Sequence, residues 1–222
     1  MYLTFKNAQS AFESYYQKII TLGEERKGYK SLFNVGFLIE NPMDNIIHTP
    51  WRKWKNSYAD IEWEWYLSAN PNANKISKHA SIWKNLMDEN GNVNSNYGYQ
   101  WNRNDQLNKV VHLLKKDPTT RRASISLYDG KEIEYYEKDT ICTYAINFYI
   151  LEDKLNMQVM MRSNDIVYGF CNDQYCFSKL QELVAKDLNL KIGSYYHFAC
   201  DIHVYEKHYN LKYKYYDTQR PV

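Results

Sequence analysis

At 222 residues with 44% hydrophobic side chains, the chain is long enough for one compact domain with a full core, and no linker-like stretch justifies dividing residues 1–222 into two. A formal net charge of +2 gives no reason to expect a polyanion such as DNA as the main partner, although a local anion site stays open. The amino terminus lacks a cationic segment followed by an apolar stretch, and no run of ~18 apolar residues occurs, so the chain reads as soluble and cytoplasmic without a membrane span.

In chain order, Ala8, Phe12, Tyr15, Tyr16 and Ile19 recur at helical spacing, which predicts an amphipathic helix from Thr4 with Gly23 as its stop. A strand-like stretch from Ser31 to Ile39 ends at Asn41-Pro42, and Glu62-Trp63-Glu64-Trp65-Tyr66-Leu67 reads as helical before Asn70-Pro71 interrupts it. Leu107, Val110, Val111 and Leu114 mark another helix, closed by Asp117-Pro118. Strand patterns follow at Ala123 to Tyr128, Thr143 to Leu151 and Leu155 to Met161, the last two joined by Glu152-Asp153-Lys154. A long helix carries Phe177, Leu180, Leu183, Val184 and Leu188 on its apolar stripe, with Gly193 past its end and a final strand from Tyr195 to Tyr205. The fold class is α+β with one large sheet. The 22 tyrosines suit half-buried strand faces better than base-stacking platforms.

Four segments can carry chemistry. Cys142 opens a predicted strand and could be a nucleophile, although a lone cysteine is more often a small core residue. The cysteines at 142, 171, 176 and 200 lack the paired spacing of a zinc site, and at least three read as buried thiols. Arg121 and Arg122 place adjacent guanidinium forks on a helix-to-strand turn, suited to phosphate oxygens or simply solvated. The run Met161-Arg162-Ser163-Asn164-Asp165-Ile166-Val167-Tyr168-Gly169-Phe170-Cys171-Asn172-Asp173 is denser in polar groups than a strand-to-helix connection needs. In Asp201-Ile202-His203-Val204-Tyr205, strand alternation puts His203 and Tyr205 on one side, where they could hold a sugar hydroxyl or sit as satisfied core residues; no ligand set completes a metal site.

These segments occur together and in order, and in that combination the chain resembles the thymidylate synthase superfamily, and within it the deoxycytidylate hydroxymethylases of T-even-like bacteriophages, from about Arg26 to about His208. The run from Met161 to Phe170, followed by Asn172-Asp173, carries most of the likeness. Asn94-Ser95-Asn96-Tyr97-Gly98, Glu64-Trp65-Tyr66 and His203-Val204-Tyr205 add to it. The resemblance implies a thymidylate synthase-like fold, a large mixed sheet packed with helices, with one sheet face used for dimerisation. It makes Cys142 the nucleophile, Arg162 and Ser163 phosphate ligands within the subunit, and Arg121 and Arg122 ligands reaching across a homodimer interface. Arg26 would be a mobile phosphate ligand, although Lys27 stands where the family usually has threonine. His203 and Tyr205 would hold the deoxyribose, and Asn164 would join the nucleotide site. Trp83, Asp165 and Gly169 would line the folate side, and Glu62 and Tyr97 the water and proton network.

The implied cosubstrate is 5,10-methylenetetrahydrofolate, with no metal. A thiolate adding at C6 of a pyrimidine makes C5 nucleophilic toward the one-carbon unit, and nearby arginines favour the thiolate. Hydride from the folate would then give a methyl group, and water a hydroxymethyl group. Asp173 stands where thymidylate synthases carry asparagine. Uracil offers an N3–H donor and an O4 acceptor, whereas cytosine offers an N3 acceptor and an N4 donor, which a carboxyl group matches. Each mismatched buried contact would cost ~1–3 kcal/mol, so Asp173 argues for dCMP over dUMP. The product, 5-hydroxymethyl-dCMP, would supply modified cytosine for phage DNA. A dCMP or dUMP methylase and a catalytically silent nucleotide binder are the competing readings. Ile141 and Thr143 replace the proline and histidine that usually flank the nucleophile in thymidylate synthases. Only fourteen residues follow His208, and Gln219-Arg220-Pro221-Val222 is the candidate cap over the cavity.

Overall fold

Asparagine at position 7 starts the first helix: its side chain accepts the Ser10 N–H at 2.9 Å while the Ser10 hydroxyl accepts the Asn7 N–H, so two otherwise unpaired donors are satisfied. The computed structural model describes residues 2–130 and 138–219. Helix α1 spans Ala8–Leu22 and buries Phe12, Tyr16 and Ile19, with Gly23 at its end. Thr4 belongs instead to a short strand, β1 (Leu3–Phe5), which the helical pattern concealed. Strands β2 (Glu24–Arg26) and β3 (Tyr29–Ile39) form a hairpin whose turn uses Gly28 at φ 88°, a conformation that suits a residue without a Cβ.

Four helices follow: α2 (Asn56–Leu67), α3 (Ile82–Leu86), α4 (Tyr97–Asn102) and α5 (Gln106–Lys116). The second half builds β4 (Ser124–Ser126), β5 (Thr143–Leu151), β6 (Lys154–Met161), β7 (Asn164–Asp165), α6 (Gly169–Asp187), β8 (Lys191–Tyr205) and α7 (Leu211–Asp217). Glu152 and Asp153, both at positive φ, make the tight β5–β6 turn that the sequence indicated. Helix α6 begins well before Phe177, so that Asp173, read as part of a connection, sits on its second turn. Its left-handed terminal residue is Asn189 at φ 55°, not Gly193. Gly193 lies within β8 at an irregularity in its pairing with β6, where any side chain would overlap Asn156.

The strands form one mixed sheet in the order β1-β3-β8-β6-β5-β4, with β2 paired to β3 and β7 to β8. β3 runs antiparallel to β8, β8 parallel to β6, and β6 antiparallel to β5. Alternating residues Tyr195, His197 and Ala199 of β8 are buried toward α1 and α6, while Tyr196 and Phe198 stay partly exposed on the other face beside Gln158 and Met160. Of the free cysteines, Cys171 and Cys176 are buried and Cys142 and Cys200 half-buried, so two rather than three sit fully in the core. Arg220, Pro221 and Val222 of the candidate cap lie outside the described residues. Among the described residues no helix is long and apolar enough to cross a membrane, and no group of three His, Cys, Asp or Glu side chains can hold a metal ion.

Candidate active site

Cys142 immediately precedes β5, beside a bulge that inserts Tyr144 between Thr143 and Ala145 and turns the strand end away from the regular ladder. Arg162, just past β6, fastens this end. Its backbone N–H donates to Cys142 O at 2.8 Å, Nε donates to Ile141 O at 3.0 Å, and Nη2 donates to Thr140 O at 2.8 Å while standing 3.7 Å from Cys142 Sγ. The expectation that arginine favours the thiolate holds only in part. Burial pushes the thiol up to about 11, the Arg162 charge pulls it down, and Asp173 and Asp139 push it up again. Burial thus outweighs the arginine at the sulfur.

Asp173, on α6, is the link between this cysteine and a second buried carboxyl, Glu62, because its charge raises both groups. Glu62 is buried on α2, with Oε1 accepting the Tyr66 hydroxyl at 3.2 Å one helical turn on and Oε2 without a protein partner. Burial, reinforced by the charge of Asp173, raises its pKa to about 8 against the opposing Tyr66 bond. Asp173 is half-buried as a residue, yet its carboxyl is set deep enough that lost hydration raises it to about 7. Asn164 Nδ2 donates to Asp173 Oδ2 at 2.8 Å, which works against that rise. Gly169 makes room for this pair: a Cβ there would lie 3.0 Å from Asn164 Nδ2 and 3.2 Å from Asp173 Oδ2.

Tyr97, buried on α4, accepts the Thr143 N–H at 3.4 Å, and its pKa is raised by burial and then by Cys142 and Asp173. Asn96 caps α4 by accepting the Tyr99 N–H at 2.7 Å, and its amide donates to Trp65 O and Asn70 O. Gly98 lets α4 press directly on the Tyr66 backbone. Asp139, buried three residues before Cys142, accepts the Ser95 N–H at 2.7 Å and also the Ser95 hydroxyl, tying the Tyr97 loop to the Cys142 loop. Sequence reasoning missed Asp139, whose partner lies 44 residues away with no periodic signal linking them.

Asp165 accepts the Val167 N–H at 2.8 Å; burial raises its pKa, while that bond, His203 and Arg52 lower it. His203 and Tyr205 do share one side, their rings 5.0 Å apart, with His203 Nδ1 lying 3.4 Å from the Asp201 carboxylate. Tyr205 is raised by burial, then by Asp165 and Cys142. Trp83 donates to the Tyr58 hydroxyl at 2.9 Å and packs on Trp65; burial, and after it the Glu62 charge, raises Tyr58. Ser163 is half-buried between Arg162 and Asn164.

Of the three other expected phosphate ligands, Arg26 lies opposite Tyr29, which pairs with Tyr205, while Arg121 and Arg122 stand farther off. Arg26 is exposed on β2, paired with Glu24 at 3.3 Å and lying over Phe33. Arg121 and Arg122 are exposed, and among the described residues neither guanidinium group has a hydrogen-bond or ion-pair partner. Because Ser124 pairs with Asn147 and β4 runs antiparallel to β5, Arg121 and Arg122 lie toward the end of β5 away from Cys142. Arg121 lines a cleft of about 330 Å³ with Asn147, Tyr149 and Gln158.

A profile of the family described as Thymidylate synthase matches residues 11–219. A thymidylate synthase from Bacillus mojavensis is 31% identical over 179 residues, covering 75% of this chain and 63% of that protein. One from Bacillus atrophaeus is 30% identical over 179 residues, covering 75% of this chain and 78% of that protein. The solved structure of thermostable thymidylate synthase A from Bacillus subtilis shares the fold at a TM-score of 0.75 and 24% identity, covering 94% of this chain and 83% of that one.

Proposed function

The chain belongs to the thymidylate synthase family, and we propose that it is a deoxycytidylate 5-hydroxymethyltransferase, a folate-dependent enzyme that joins a one-carbon unit and water to C5 of dCMP. One observation carries the choice of base: an aspartate carboxyl, Asp173, is buried within electrostatic reach of both Cys142 and Glu62 and held by the Asn164 amide, and burial raises it to about 7, so that it can carry a proton near neutral pH. With its proton held toward N3, a neutral carboxyl donates to cytosine N3 and accepts from the N4 amino group.

In this reading Cys142 Sγ bonds to C6 as its thiol proton is lost, and Asp173 gives hydrogen-bond support at N3 where charge accumulates. C5 then takes the one-carbon unit that 5,10-methylenetetrahydrofolate supplies. Loss of the C5 proton and of tetrahydrofolate leaves an exocyclic methylene, and water adds to it as sulfur leaves C6. Glu62, protonated below about 8 and with one oxygen unpartnered, is suited to organising that water and passing protons. Trp83, Asp165 and Gly169 line the folate side; Arg162, Ser163, His203 and Tyr205 take the phosphate and sugar.

The distance of Arg121 and Arg122 from Cys142 along the sheet supports a homodimer, in which they complete the neighbour's phosphate site. A second reading, methyl transfer to dCMP or dUMP with the folate as hydride donor, is favoured by the relatives' name. Incubation with methylenetetrahydrofolate and dCMP separates the two. The proposed activity gives a hydroxymethyl product by mass and no dihydrofolate absorbance; a methyl product with stoichiometric dihydrofolate contradicts it.

A further inference from the structure

A neutral carboxyl group is ambidextrous. With its proton on one oxygen it offers donor and acceptor in the order cytosine needs; with the proton on the other it offers the reverse order, which matches uracil N3–H and O4. Asp173 alone therefore cannot exclude dUMP while it is protonated, and something must decide which oxygen carries the proton.

We propose that Asn164 makes that decision and is the positioning residue for base selectivity: its Nδ2–H, donated to Asp173 Oδ2, fixes that oxygen as an acceptor and leaves Oδ1 as the seat of the proton. The inference rests on the reading of dCMP as substrate. Its geometry is well supported. Asn164 is 3% exposed, and β7 holds its backbone to β8 through the pairing of Asn164 with Ile202. The amide approaches Asp173 Oδ2 at 2.8 Å, in space that only the missing Cβ of Gly169 leaves free.

The other end of the amide points the same way. Asn164 Oδ1 is buried and has no hydrogen-bond partner, a state that costs free energy until a donor arrives. It lies on the same amide as the nitrogen that holds Asp173, so in this proposal the 4-position of the base meets both acceptors, Asn164 Oδ1 and Asp173 Oδ2. A 4-amino group carries two hydrogens and can satisfy both. A 4-oxo group carries none and faces two lone-pair-bearing oxygens, so uracil is opposed twice.

The test compares kcat/KM for dCMP and dUMP, read as release of tritium from C5, in the unaltered chain, Asn164→Ala and Asn164→Ser. The alanine variant should lose roughly five- to hundredfold of the dCMP preference, chiefly through gained dUMP turnover. The serine variant, which keeps a donor, should retain more of it. A folded Asn164→Ala whose preference stays within about twofold of the unaltered chain overturns the inference. Should that variant fail to fold, the side-chain amide of Asn164 in the unaltered protein, observed by NMR with dCMP bound, decides instead: a proton protected from exchange supports the inference, and one exchanging at solvent rate overturns it. An unaltered chain that releases tritium from dUMP and none from dCMP defeats the substrate reading itself, a result distinct from either outcome at Asn164.

Discussion

The Arg162 guanidinium stands 3.7 Å from the Cys142 sulfur while its Nη2 and Nε hold the Thr140 and Ile141 carbonyls. One side chain thus fixes the Cys142 loop and supplies the positive charge beside the sulfur. Burial nevertheless keeps the thiol up at about 11. Arg162→Ala should lower turnover by roughly 10²-fold, and Cys142 should react with iodoacetamide more slowly at pH 9 than in the unaltered chain, with Cys142→Ala as the blank. Arg162→Lys, which keeps the charge but not the planar fork, should restore only part of either property.

Glu62 should make the folded state less stable as pH rises. Its pKa goes from 4.5 to about 8 on burial, and that of Asp173 from 3.8 to about 7, so between those limits the folded chain binds more protons than the unfolded one. Stability from these two groups is complete below about 4 and is lost as pH climbs through 7 to 8. His197, lowered from 6.5 to about 3 by burial, acts in the opposite direction, so the informative quantity is a difference. Glu62→Gln should flatten the pH dependence of the thermal midpoint between pH 5 and 8 relative to the unaltered chain, while turnover falls ~10²-fold or more. A midpoint difference that does not change over that range contradicts the assignment.

Gly98 should tolerate no side chain. A methyl group there would overlap the Tyr66 carbonyl at the crossing of α4 on α2, so Gly98→Ala should cost about 2 kcal/mol or more in urea unfolding. The same shift would displace Tyr97 and Glu62, and activity should fall by more than the loss of folded protein accounts for.

Arg121 and Arg122 should act in the partner subunit. Cys142→Ala and the double variant Arg121→Ala/Arg122→Ala should each be nearly inactive, and subunit exchange between them should regain activity, because one site in each mixed dimer has both its cysteine and its arginines. No gain on mixing, with exchange confirmed by mass, would place the arginines outside the site.

Much of this was legible in the sequence. β5 and β6 match their expected spans to within a residue, because a short polar turn joins two runs of strand-forming side chains, whereas β8 begins four residues before Tyr195, β4 is shorter than expected and β7 carried no pattern of its own. The errors lie where local pattern and tertiary context diverge. β1 is three residues long and merges with the helical pattern, and Gly193 serves a strand irregularity rather than a helix end. The site residues were named through their resemblance to a family, but their couplings were not legible. The Asn164–Asp173 bond spans 9 residues and the Ser95–Asp139 bond 44, both made across elements that only folding brings together. The cysteine's state also escaped sequence reasoning, since counting nearby arginines says nothing of how far burial opposes them.

The most direct measurement sets dCMP against dUMP in one reaction with methylenetetrahydrofolate and identifies both products by mass, for the unaltered chain and for Asp173→Asn. The account predicts 5-hydroxymethyl-dCMP as the main product of the unaltered chain and a shift of roughly tenfold or more toward dUMP in the variant. A preference for dUMP in the unaltered chain, or a ratio that Asp173→Asn leaves in place, contradicts it.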